Sequence, residues 1–496
     1  MYRKREADIV IIGGGLAGLT AAYQAVKKGI TPILLEERGR PGGLVCSGAI
    51  GDVTIDIGAE SYAIRTPTVS QLCKELGLET VKPQGSSWIW THKNGGYPVP
   101  IPHGIFGIPA DIKDPLFTST LVNLAGEQAL ERAQRDLSMP THIGSKCKDL
   151  GSLVEMRLGR AVLDNFVTPF AGGIHGAHPS QLSLDVVTPG LREKIRQEGS
   201  LIGAVHAMRP HPVPVVEQTK GGMYRLVEAL RDAIIQGGGK IENRTHALSI
   251  VPGMNHRWSV WHTDTQSNPD PHQPPILVKE KTGIIETDKI IIATPSDHAL
   301  KLLGTAADEA LLGSAEIFNH ELTSNIIDTL DGFTLPKGSP IAHYTLVVRD
   351  SALDSGPRGS GMLVTPAERG DTARVRAKAL THYSYKWPDT VTGTPEHTHV
   401  LRVSYGRAGE DLSYVTLEQA LRDASTMLGI TIDHTNLVDS RLIHWDGSLA
   451  PHTPESREKV KRLLELIDQT KGIDLAGAWI AGSGIEAVIR HSQTLI

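Results

Sequence analysis

Residues 9–18 read Ile-Val-Ile-Ile-Gly-Gly-Gly-Leu-Ala-Gly, and no other stretch constrains the fold as much. The apolar run Ile9–Ile12 predicts a strand buried on both faces. Gly13-x-Gly15-x-x-Gly18 ends that strand and opens a helix. The first glycine permits a tight turn, the second lets backbone approach a pyrophosphate, and the third lets helix and strand pack closely. The helix, predicted over Leu16 to Lys28 and stopped by Gly29, offers unpaired N–H groups and a positive dipole end. Ile33-Leu34-Leu35 predicts a second parallel strand ending on Glu36, whose carboxylate can accept ribose hydroxyls and disfavours a 2′-phosphate. One βαβ unit therefore predicts a dinucleotide site on Gly13, Gly14, Gly15, Leu16, Ala17, Gly18 and Glu36. FAD and NAD share this fingerprint. It occurs once, with no second copy for NAD(P)H, which favours an oxidase reoxidised by O2.

Composition sets outer limits. At 496 residues, two or three domains are expected. Apolar content of 40% and charged content of 21% suit a soluble globular protein. A net charge of −5 leaves no nucleic-acid footprint. Cys46, Cys73 and Cys147 form neither a disulfide framework nor a zinc site, and suit a reducing compartment; no metal is expected. Arg3-Lys4-Arg5 followed by Ile9–Ile12 mimics a leader, but the apolar run is too short. No run of about 18 apolar residues occurs, so no membrane span and a cytoplasmic location are expected. Of the 21 histidines most belong on a polar surface, and some suit an anionic substrate.

Further along, periodicity predicts helices at about 66–80, 116–137, 152–166, 224–235, 417–428 and 455–470, with a last helix inside 478–492. Short strands are predicted at 246–250, 258–261 and 290–293, a polar loop at 264–275, and a strand-rich stretch at 340–405. Segments that return late to a nucleotide fold predict a discontinuous domain. The expected class is α/β: a Rossmann-like cofactor domain of 1–65, 215–300 and 445–496, an α+β substrate domain of 66–90 and 301–444, and a mainly helical subdomain of 91–214.

Other segments carry a resemblance. Glu37-Arg38-Gly39-Arg40-Pro41-Gly42-Gly43, Asp56-Ile57-Gly58-Ala59-Glu60-Ser61, Thr245–Ile250, Ile290–Pro295, Leu475–Trp479 and Gly482-Ser483-Gly484-Ile485 follow the order of the flavin amine oxidase superfamily. The resemblance implies FAD, with contacts from Glu37, Arg38, Gly42, Gly43, Leu44, Gly58, Ala59, Glu60, Ser61, Ala247, Leu475, Ser483, Gly484 and Ile485. Asn165–His178 with Leu182-Ser183-Leu184, Lys220–Met223, Tyr385-Lys386-Trp387-Pro388 and Leu401–Gly409 resemble the protoporphyrinogen and coproporphyrinogen oxidases. That likeness spans about residues 8–492. His175 and His178 replace a tyrosine and an aspartate of the family pattern, and Glu486-Ala487-Val488 replaces Pro-Asp-Cys.

The resemblance implies FAD-dependent oxidation of coproporphyrinogen III to coproporphyrin III in bacterial haem biosynthesis, with O2 as acceptor and H2O2 as product. Oxidation of protoporphyrinogen IX, another flavin amine oxidase chemistry, and a non-catalytic FAD-bound protein handing porphyrin to a ferrochelatase stay open. At most peripheral membrane contact is expected. Propionates need cations, and Arg65, His175, His178 and Lys386 are the candidates, with Gly173 and Ile174 against the macrocycle. Porphyrinogen nitrogens are electron-rich, so the ring largely activates itself. No nucleophile or paired-acid arrangement is expected, and no catalytic residue is assigned.

Overall fold

The computed structural model describes residues 3–209, 211, 214–253, 257–269, 273–312, 320–367, 375–407, 409–445 and 452–496. Ala408 and parts of the stretches 206–216 and 264–275 lie outside the described residues.

Strand β1 (Arg3–Ile12), helix α1 (Leu16–Lys27) and strand β2 (Pro32–Glu36) form the predicted parallel unit, with Ile9 opposite Pro32 and Ile12 opposite Leu35. Lys240–Asn243 adds in parallel beyond β2, and the strand Ile276–Ile292 adds in parallel beyond β1. Ile473–Leu475 pairs in parallel with Ile290–Ile292. Antiparallel strands Trp258–Gln266 and Thr245–Pro252 complete the sheet. Alternation explains why Ile9–Ile12 is apolar throughout. Ile9 and Ile11 face α1 and the helices Tyr224–Gln236 and Ile485–Ser492. Val10 and Ile12 face the helices Ser296–Leu312, His320–Leu330 and Pro454–Ile467.

Two sequence expectations change here. The strand expected at 290–293 is the end of a 17-residue strand, whose charged middle (Lys279-Glu280-Lys281) hides the pattern. The expected polar loop begins as strand, because Thr263 and Thr265 bury their hydroxyls by donating to Val278 O at 2.6 Å and Glu37 O at 2.6 Å. Polarity signalled a loop; satisfied hydroxyls make it strand.

A second seven-stranded sheet runs in the order Leu437–Trp445, Ile341–Arg349, Thr398–Tyr405, Ala379–His382, Gly361–Val364, Ser87–Thr91, Tyr97–Pro100. Its last hairpin straddles residue 91, the expected border of the helical region. Helix Leu417–Leu428 covers the face bearing Leu346, Leu401, Val403 and Tyr405. The opposite face bears His343, Thr345, Arg402 and Ser404, paired across the strands. The helical part packs Phe117, Leu121, Val154, Phe166 and Leu201 around a fully buried ion pair, Arg157 with Asp136 at 2.5 Å. Asp136 also accepts the N–H groups of Leu201 and Ile202, at 3.2 and 2.8 Å. The helix expected over 116–137 breaks at Gly126 (φ +83°) into Pro115–Ala125 and Glu127–Gln134. After Gly159, chain 160–175 continues as helix with π-helical turns at Leu163–Val167 and Ala171–His175.

Buried histidines predict an acid limit. Burial pushes His382 from 6.5 to about 3 and His452 to about 4, with His399 and Arg457 respectively adding to the shift. Both imidazoles stay neutral in the fold, while the unfolded chain takes up protons below its ordinary pKa. Stability is therefore full above pH 6.5 and falls as pH drops toward 4. At pH ~5 each withheld proton costs about 2 kcal/mol. Urea midpoints at several pH values will show this fall, and His452→Gln will flatten it.

Candidate FAD and substrate site

The glycine turn is held by contacts that leave no room for side chains. Gly13 sits at φ +106°, where a Cβ would lie 2.7 Å from Ala293 O. A Cβ on Gly18 would lie 1.9 Å from Gly13 O. Gly14 N–H donates to Glu36 Oε2 at 2.9 Å, and Arg38 N–H donates to Glu36 Oε1 at 2.7 Å. Glu36 thus ties the turn to the end of β2, and burial raises its pKa against those two bonds. Leu16 and Ala17 are buried beneath the turn.

Gly15 differs from its neighbours: a Cβ there would meet nothing within 4 Å. It is the N-cap of α1 and no side chain caps that helix. Gly484, the N-cap of Ile485–Ser492, has the same two properties. Two helix N-termini therefore keep free N–H groups beside open space, the arrangement that receives phosphate or a negatively polarised ring. The expected contacts surround them. Gly42 N–H donates to Gly14 O at 2.8 Å, and Gly43 stands 3.3 Å (as a Cβ) from Gly15 Cα. Leu44 O accepts Ala59 N–H at 2.9 Å and leaves no space for a side chain on Gly58. Ser61 and Ser483 are half-buried, and Leu475 is buried at the end of its strand.

At the far end, His246 Nδ1 lies 3.0 Å from Glu37 Oε2 and stacks on His298, with ring centroids 4.7 Å apart. His298 Nε2 lies 3.1 Å from Ala247 O. Arg38 is exposed, its carbonyl accepting Arg244 N–H at 2.9 Å.

Glu60 and Lys386 have a duty that sequence reasoning missed. Lys386 Nζ lies 2.6 Å from Glu60 Oε1, and Arg402 Nη1 lies 3.0 Å from Glu60 Oε2. Arg402 also donates to the carbonyls of Asp56 and Gly58. Burial raises the Glu60 pKa, but Lys386 and Arg402 outweigh it and hold the carboxylate below its ordinary range. Lys386, expected at a propionate, instead joins the second sheet to the Gly58–Glu60 turn.

Asp56 was passed over too. It is fully buried and accepts Met223 N–H at 2.8 Å, Tyr224 N–H at 2.9 Å and Tyr383 Oη–H at 3.0 Å. It caps the helix Tyr224–Gln236 from a distance, and burial pushes its pKa up to about 6. The signal was negative: Gly221-Gly222-Met223 offers that helix no local cap.

Gly173, Ile174 and His175 form part of the π-helical turn Ala171–His175. A Cβ on Gly173 would lie 2.4 Å from Leu363 Cδ2, so this glycine rests on the second sheet. Ile174 is 49% exposed, a large apolar side chain left open. His175 stacks on Phe106, centroids 5.4 Å apart. Burial pushes its pKa down to about 4, helped by His452 and Arg65 nearby. Arg65 keeps a path to solvent, yet surrounding atoms lower its pKa; Glu486 opposes that shift and Arg490 adds to it. His178 is placed apart: its Nδ1 accepts Ser180 N–H at 3.3 Å and caps the turn Pro179–Gln181, which leaves that nitrogen unavailable to an anion.

Residues 16–494 match the flavin containing amine oxidoreductase family. The chain belongs to that family. Its FAD fits the residues present, because Gly15 and Gly484 leave room that no protein atom fills. This flavin amine oxidoreductase is 27% identical over 420 residues to coproporphyrinogen III oxidase of Staphylococcus aureus, covering 81% of this chain and 79% of that one. It is 24% identical to coproporphyrinogen III oxidase of Bacillus subtilis, covering 99% and 97%. Among solved structures, an Exiguobacterium protein assigned as a protoporphyrinogen oxidase superposes with TM-score 0.75 at 23% identity, covering 99% and 97%. Reduced UDP-galactopyranose mutase superposes with TM-score 0.64 at 15% identity, covering 98% and 94%. These two show the fold. Among the described residues no helix is long and apolar enough to cross a membrane, and no cluster of histidine, cysteine or acids could hold a metal.

Proposed function

We propose that this enzyme oxidises coproporphyrinogen III to coproporphyrin III in haem biosynthesis, with O2 as final acceptor and H2O2 released. The supporting observation is the full-length likeness to coproporphyrinogen III oxidases, read with Arg65 beside His175 at an open apolar turn. FAD supplies a hydride acceptor when bound. The chain's own part is to bind and orient. Gly173 lets the π-helical turn rest on Leu363, Ile174 offers an apolar surface to a macrocycle, and Arg65 offers charge to a propionate. The uncapped N-terminus of Ile485–Ser492 would hold the flavin ring and favour negative charge there. In this reading the enzyme works in the cytoplasm and passes product to a ferrochelatase.

The test offers coproporphyrinogen III and protoporphyrinogen IX separately, in air, to flavin-loaded enzyme and follows porphyrin fluorescence and peroxide. Fluorescence from the first substrate is expected; fluorescence from the second alone overturns the substrate choice. Arg65→Ala should raise KM for coproporphyrinogen about ten-fold while flavin content holds. An equal loss of both would remove Arg65 from the substrate site.

A further inference from the structure

His343 lies on the inner face of the second sheet, in a row with Ser404, Ala379 and Leu363, each directly opposite the next across neighbouring strands. Two turns close over this row. On one side Gly173 rests on Leu363, and Gly176 rests on Ser339, whose Oγ–H donates to Gly176 O at 2.5 Å. On the other side Arg402, two residues from Ser404 on the same face, reaches Gly58 O and Glu60. Trp445 flanks it there, donating Nε1–H to Ile57 O at 3.0 Å, two residues from Ile443, which lies opposite His343. The row therefore runs between the Gly173–Gly176 turn and the Gly58–Glu60 turn. It is not packed shut. On the outer face of these strands Met362, Leu380 and Val403 are buried. On the inner face Leu363, Ala379, Thr381 and His343 all keep accessible surface, although their strands are central in the sheet. Central strands left open on a covered face form the floor of a cavity.

His343 presents one nitrogen to that floor. Its Nδ1 lies 2.8 Å from Ser404 Oγ, and nothing among the described residues partners Nε2. Its small neighbours in the row, Ser404 and Ala379, leave the space above them free. Arg402 and Lys378 are the charges that face it; burial first, and then these two, hold its pKa well below 6.5, so the imidazole is neutral. With Nδ1–H donating to Ser404 Oγ, Nε2 carries an unshared lone pair. Beside it Thr345 Oγ1 and Arg402 Nε, on residues directly opposite each other, are buried without partners. This end of the floor thus holds more hydrogen-bonding capacity than the protein itself uses.

We propose that His343 Nε2 is the proton acceptor of the reaction and that Ser404 is a positioning residue that fixes its tautomer; the proposal rests on the porphyrinogen reading of the site. Each two-electron step breaks one C–H bond at a bridging carbon and one pyrrole N–H bond. The hydride leaves the carbon for bound FAD, the N–H electron pair stays on the ring as its conjugation extends, and the proton passes to Nε2 and on to water. The hydride and that proton together account for the two hydrogens of H2O2. Loss of hydride makes the ring cationic and its N–H strongly acidic, so a weak base suffices. Arg402 and Lys378 then disfavour the imidazolium and return it to the neutral form for the next step.

Anaerobic stopped-flow reduction of the flavin-loaded protein by coproporphyrinogen III tests it. His343→Gln should be reduced about a hundred-fold more slowly than wild type, with a larger solvent deuterium isotope effect, while flavin content, melting temperature and KM hold. Ser404→Ala should lose less, and imidazole in solution should restore part of the rate of His343→Ala. Independently of turnover, 15N NMR of histidine-labelled protein at neutral pH should show His343 protonated on Nδ1 and bare on Nε2, the signal assigned by its loss in His343→Gln. Reduction of His343→Gln at the wild-type rate overturns the proposal, as does a proton on Nε2. A slow variant that has also lost flavin or melting temperature, with no rescue of His343→Ala by imidazole, overturns it too, because the role is then structural. If neither coproporphyrinogen III nor protoporphyrinogen IX reduces wild type, the functional reading falls and takes the proposal with it.

Discussion

Gly18→Ala will yield protein without flavin, and Gly15→Ala will yield stable protein that binds flavin weakly. The two substitutions add the same methyl group, three residues apart. At Gly18 the methyl would stand 1.9 Å from Gly13 O, so β1 and α1 must separate for it to fit. Forcing atoms into a packed interior costs roughly 1–3 kcal/mol or more, before any ligand is considered. At Gly15 the methyl would meet no protein atom within 4 Å, and φ −69° with ψ 178° suits alanine. The obstacle there would be the pyrophosphate that this turn is expected to hold. Urea denaturation of the flavin-free proteins separates the cases. Gly18→Ala should lose stability with or without FAD, while Gly15→Ala should match wild type when empty and lose about ten-fold or more in FAD affinity, from its absorbance spectrum on titration. Equal flavin-free stability for all three proteins would refute the crowding at Gly18.

Glu60→Ala should destabilise the folded protein by roughly 3 kcal/mol, because it leaves two largely buried cations facing each other. Lys386 and Arg402 side chains are 18% and 5% exposed, so water screens them little. Adding Lys386→Met should recover part of the loss, since one stranded charge goes with it; the double variant should be less damaged than the sum by about 1–2 kcal/mol. The coupling has a pH sign. The Glu60 carboxylate is held below its ordinary range, so its contribution is present above that range and is lost as pH falls through the lowered value. Additive losses in urea midpoint would show that the pair acts independently.

These two predictions also mark what could be read from sequence. The glycine turn was legible because strand, turn, helix and acid lie within 28 residues, where each type has one local use. The Glu60 network was not, because its partners lie 326 and 342 residues away and a charge does not name its partner. Lys386 was noticed in a family segment and given a propionate, the nearest anion that sequence could suggest. The strand Trp258–Gln266 was half lost because its buried threonines look like loop. Glu36 was placed correctly at the end of β2, yet its bonds to Gly14 and Arg38 needed coordinates. The π-helical turn holding Gly173 to His175 has no sequence signature, though the segment around it was distinctive enough to be singled out.

The strand Ile276–Ile292 bears on how the protein is made. Its last residues pair with β1 on one side and with Ile473–Leu475 on the other. The second open helix end, at Gly484, follows within ten residues of that pairing. The sheet is therefore complete only after residue 475 has left the ribosome. The Gly13–Gly18 turn waits for residues far downstream of it. A nascent chain stalled short of residue 473 lacks both that strand and the open helix end at Gly484.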